Sequence, residues 1–97
     1  MAVDISTLDK MARGVIAAIS RLEKSGLKEN ASVRLGQDYN DYREKVLEAK
    51  PELASVVGQP MGFDTDMGGT PVFCQGTNLD ILSEYEKIVR LLPDDED

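Results

Sequence analysis

Three stretches of this chain repeat their apolar residues with the period of a helix. In the first, Leu8, Met11, Ala12, Val15, Ile16, Ile19 and Leu22 advance by steps of three or one, which puts them on one face of a 3.6-residue repeat. Ser6 with Asp9 resembles a capping box, and Asp4 is an alternative cap with Val3 and Leu8 as its hydrophobic staple. Gly26 suits the left-handed position after the helix, with Leu27 folding back onto Leu22. The second helix is predicted to start at Asp38, with Tyr39, Tyr42, Val46 and Leu47 on one face. Pro51 interrupts it, because a proline ring clashes with the preceding turn, and opens a short new turn from Glu52 to Val57. The third runs from Asn78 to Leu92. Thr77 and Asp80 form its capping box, and Leu79, Leu82, Tyr85, Ile88, Val89 and Leu92 form its stripe, until Pro93 stops it.

The intervening stretches are less regular. Residues 31–35 alternate weakly and read either as a short strand or as an irregular turn, with Gly36 breaking the pattern. Residues 58–76 hold Gly58, Gly62, Gly68, Gly69 and Gly76 together with Pro60 and Pro71, and thread Met61, Phe63, Met67, Val72, Phe73 and Cys74 between them. Short strands at 61–64 and 71–74, joined across Asp66-Met67-Gly68-Gly69, make a hairpin; the other reading is an ordered loop laid over the helices.

The predicted fold class is therefore mainly α. Three amphipathic helices surround a core, and a glycine-rich irregular segment or small β-hairpin crosses one side; strands from 31–35 and 61–74 would shift the class to α+β. With no Trp and only two Phe, the core is expected to be aliphatic. The length of 97 residues suits one globular domain, assigned to 1–93. Asp94-Asp95-Glu96-Asp97 is expected to be a self-repelling, disordered tail.

Charge narrows the function classes. Residues 51–97 carry ten acids against Lys87 and Arg90, whereas residues 1–50 are nearly balanced, and the chain totals −7. Such a surface repels nucleic-acid backbones and anionic membranes and attracts basic partners. Histidine is absent, which removes Ser-His-Asp and Cys-His catalysis and Cys/His zinc sites. A single cysteine makes no internal disulfide. The N-terminus lacks the basic and apolar regions of a signal peptide, and no apolar run approaches a membrane span. The expected location is cytoplasmic.

Candidate chemistry is sparse. Asp64-Thr65-Asp66-Met67-Gly68-Gly69 has acids at positions 1 and 3 and glycine at position 6 of a calcium loop, but Gln75 stands where the bidentate Glu belongs. The same glycines lack the Gly-Lys-Ser/Thr ending of a phosphate loop. Cys74 follows Val72-Phe73 and reads as a small buried hydrophobe. Lys10, Arg13, Arg21, Lys24 and Lys28 make the one basic stripe, without an accompanying nucleic-acid motif. Tyr39 and Tyr42 read equally as an exposed recognition patch or as core residues with hydroxyls reaching water.

No segment carries a family-defining motif. The expected function is a small acidic, non-enzymatic protein-binding module: an adaptor, a regulatory subunit or an inhibitor of a basic partner. Its candidate contact residues are Tyr39, Tyr42, Asp64, Asp66, Asp80 and Glu84. No catalytic, cofactor or metal site is expected, and neither a nucleic-acid nor a membrane partner. Two alternatives stay open: a structural or phage-type component that assembles as a homo-oligomer, and a small carboxylate- or metal-dependent enzyme.

Overall fold

The computed structural model describes residues 4–92; the acidic stretch at 94–97, with Val3 and Pro93, lies outside them. Along the chain come α1 (Ile5–Ser20), the short α2 (Lys24–Lys28), α3 (Val33–Ala49), a 3-10 turn (Pro51–Ser55), β1 (Phe63–Thr65), β2 (Pro71–Cys74) and α4 (Asn78–Leu91). The class is mainly α with a two-stranded antiparallel hairpin. None of the helices among the described residues is long and apolar enough to cross a membrane.

The last helix follows its local sequence closely. Thr77 Oγ1 accepts from the Asp80 backbone N–H at 3.1 Å, and Asp80 Oδ2 accepts from the Thr77 N–H at 2.9 Å. Two donors that a helix start leaves orphaned are thereby satisfied. Of the two readings of residues 58–76 the hairpin is the one that forms, its first strand at Phe63–Thr65 rather than 61–64, pairing Phe63 with Cys74 and Asp64 with Phe73, with a bulge between Asp64 and Thr65. Its turn uses the left-handed freedom of Gly69, at φ +86°.

Two helix boundaries differ from expectation. The first helix stops at Ser20 rather than running to Gly26. Leu22 N–H bonds back only three residues, to Ile19 O at 3.0 Å, and the chain turns into α2, which contains Gly26. The gain is a polar seam against the start of α4. Asn78 donates from its backbone to Glu29 O and from its side chain to Gly26 O, each at 2.9 Å, and Ala31 N–H reaches Gly76 O at 2.9 Å.

The second predicted helix starts six residues earlier than Asp38. Ser32 is its cap, accepting from Leu35 N–H at 3.0 Å. Residues 33–35 are thus helical and Gly36 is an interior position, not a breaker. Glycine is needed there for space. A β-carbon at 36 would lie 2.8 Å from Cys74 Sγ and 2.9 Å from the Phe63 ring, so this is where the hairpin beds onto α3. Gly36→Val is expected to cost about 1–3 kcal/mol through overpacking, although valine propagates a helix better than glycine. Thermal unfolding checks this, and a variant as stable as the parent would contradict the close approach.

The expectation of an aliphatic core is corrected. Leu8, Ala12 and Ile19 of α1, Val46 of α3 and Ile81, Leu82 and Ile88 of α4 enclose three fully buried tyrosines. Tyr85 stands at their centre, edge-on to Tyr39 with ring centroids 5.5 Å apart and tilted against Tyr42 at 4.9 Å. With neither Trp nor a buried Phe available, tyrosine supplies the volume needed where three helices meet. Both phenylalanines lie in the hairpin instead, Phe63 half-buried and Phe73 exposed.

Candidate functional site

The six residues nominated from sequence do not converge. Tyr39 and Tyr42 belong to the core, so the exposed-patch reading fails for them: their rings fill the α3–α4 contact. Burial lifts both phenols well above the ordinary tyrosine range, Tyr39 further through the nearby Glu84 carboxylate, and pushes Tyr85 up to about 12. Asp64 is exposed and accepts from Gln75 Nε2 at 2.9 Å. Asp66 builds the hairpin turn, its Oδ1 accepting from the N–H groups of Gly68 and Thr70, each at 2.9 Å. Asp80 caps α4.

Glu84 faces inward across the fold. It accepts from Gly58 N–H at 3.2 Å and the Tyr39 hydroxyl at 3.4 Å, and pairs with Lys87 Nζ at 3.2 Å. Arg43 Nε donates to Gly58 O at 2.7 Å, and Asn40 brackets Met61 with bonds of 2.7 and 3.1 Å. These side chains pin the irregular segment to α3 and α4. Their carboxylate and amide groups are occupied by the protein itself. Among the described residues, no group of three or more acidic or thiol side chains is placed to hold a metal. Cys74 is buried against α3, as its apolar context implied.

The feature that stands out is a groove. α1 packs chiefly on α4 and lightly on α3, which leaves part of its apolar stripe uncovered. Leu8, Ala12 and Ile19 point into the core, but Met11 is 41% exposed and Leu22 40%. Gly14 and Ala18 stand between them, both exposed, and nothing lies within 4 Å of where a Gly14 β-carbon would sit. With Val15 below and Leu35 of α3 opposite, these residues line an open, almost wholly apolar groove of about 490 Å³. Lys10 and Asn78 also line it.

A second depression, of about 370 Å³, shares Met11 and Val15 with the groove and continues it along α3. Its character is different. Asp38, Asp41 and Lys45 line it together with Tyr42 and Tyr85. The trough beside α1 and α3 is therefore apolar at one end and charged at the other.

Sequence reasoning missed this site because it assigned every apolar residue of the first helix to the core. The signal was present: Met11, Gly14, Ala18 and Leu22 widen the stripe beyond what two neighbouring helices cover. A smaller apolar surface sits on the hairpin, where Met67 is fully exposed and Val72 and Phe73 are largely so. A scan against protein-family models finds no match for this chain, and searches of curated proteins and of solved structures find none either.

Proposed function

We propose that this chain is a non-enzymatic protein-binding module that receives an α-helix of its partner in the trough between α1 and α3. The observation carrying the proposal is the uncovered apolar stripe of α1. Contiguous apolar surface is costly to leave in water, and on small proteins it marks sites of association. Two packed helices flanking an open apolar seam present the ridges and grooves that a further helix packs into. The small side chains at Gly14 and Ala18 let that helix approach closely.

The charge supports a basic partner. A net charge of −7 speeds encounter with a positive surface, and Asp38 and Asp41 border the trough itself. An adaptor, regulatory subunit or inhibitor acting in the cytoplasm on a basic protein fits this reading, and nucleic acid does not. A second reading draws on the same stripe. A second copy of the chain, lying with its own Gly14–Ala18 face in the trough, would make a homo-oligomer, and sedimentation over a concentration series separates the two.

Ala18→Glu tests the docking surface. The position is exposed and helical, so the fold and its melting temperature are expected to stay within a degree or two of the parent. Affinity capture at low salt, run with the parent and the variant side by side, is expected to recover a basic protein with the parent alone. Equal recovery by both would refute the groove as the binding surface.

A further inference from the structure

We propose that the hairpin tip of one copy of this chain docks into the α1 groove of the next, so that copies associate head to tail. The groove is the one described above. Its occupant differs both from a partner helix and from the α1 face of a second copy. The chain carries two uncovered apolar surfaces, and they differ in charge. On the hairpin, Met67 is fully exposed, Val72 57% exposed and Phe73 46%. Asp64 pairs across the strands with Phe73, and Asp66 builds the turn beside Met67. Both carboxylates are exposed, and residues 51–86 contain no lysine or arginine.

The groove carries the other sign. Lys10 lines it. Arg21 returns to the same side of the helix after about three turns. Both are exposed, and among the described residues neither is held in an ion pair; the α1 salt bridge joins Arg13 to Asp9 at 2.8 Å. Shape agrees with charge. Gly14 and Ala18 leave room beside α1, and methionine is unbranched and adapts to an irregular apolar surface. No hairpin residue lines the groove of its own chain. The strands are tied down where Cys74 and Phe63 bed on Gly36, and Asn30 Nδ2 donates to Cys74 O at 2.9 Å. The two surfaces therefore meet only between copies. Docking α1 against α1 would instead set two cationic faces together, which is unfavourable.

Sedimentation equilibrium of the full chain tests this, from about 10 µM to about 1 mM, the range suited to a contact of a few side chains. The average mass is expected to climb past that of two copies, because each added copy leaves one groove and one hairpin free. Salt raised from about 50 to about 500 mM is expected to weaken the association. Two variants separate the surfaces. Ala18→Glu blocks the groove, and Met67→Gln with Val72→Thr removes the apolar tip at exposed positions without changing charge. Each alone is expected to stay at the monomer mass. Mixed in equal amounts they are expected to form pairs and nothing larger, since one supplies an intact hairpin and the other an intact groove. A mixture that stays monomeric, or association that survives in the hairpin variant, would overturn the proposal. A parent that is monomeric throughout, yet captures a basic protein, would overturn this contact and leave the helix-docking reading standing.

Discussion

Alkali is expected to unfold this protein well before it damages an ordinary helical domain. Tyr39, Tyr42 and Tyr85 are all buried, and burial is the leading cause that raises each phenol above its usual value, Tyr85 to about 12. An unfolded tyrosine releases its proton near pH ~10. Between that value and the higher one in the fold, the unfolded chain has lost protons that the native chain still holds. Stability therefore falls as pH rises, by up to about 1.4 kcal/mol per pH unit for each tyrosine. Below pH ~10 both states are protonated and the contribution is fully present. Urea unfolding followed at about pH 9 and about pH 11 should show the midpoint collapsing, with tyrosinate absorbance appearing together with loss of helix. Three tyrosines that ionise near their ordinary value while the helices persist would mean that the rings are not packed as described.

Tyr85→Ala is the substitution expected to do most harm. Its ring lies between those of Tyr39 and Tyr42 and is 2% exposed, so it joins α4 to α3 at the point where α1 also closes over the core. Truncating a buried aromatic residue costs about 3–5 kcal/mol, because the lost transfer energy is compounded by a cavity that the surroundings fill only partly. Domains of this size hold about 5–15 kcal/mol in total, so a large share of native stability would go. Equilibrium denaturation should show the midpoint falling sharply, with little change in its denaturant dependence. A loss below about 1 kcal/mol would place the tyrosine cluster at the periphery.

How far these features were legible in the sequence depended on how local their causes are. Thr77 and Asp80 satisfy each other's neighbouring backbone groups, so that helix start was readable from residues three apart. The hairpin was readable only as one of two alternatives: Asp66 and the glycines after it make its turn locally, but the bed that Gly36 leaves for its strands on α3 is distant in the chain. The start of α3 was not. Ser32 is as good a cap as Asp38, and Gly36 looked like an interruption because its reason is the distant Cys74 and Phe63. The early end of α1 answers to Asn78, more than fifty residues away in the chain. Of the nominated contact residues, Asp66, Asp80 and Glu84 prove to hold the fold's own turns and clamps. Local pattern shows that a carboxylate is present, and only packing shows what it faces. The trough needed the structure most of all. A stripe on one helix does not disclose how much of it its neighbours will cover.

If the partner sits between α1 and α3, methyl NMR of the labelled chain bound to its captured partner will locate it there. The methyl groups of Met11, Ala18 and Leu22 should shift furthest and lose contact with water on binding. Shifts confined to Met67, Val72 and their neighbours on the hairpin, with the α1 methyls unmoved, would contradict it.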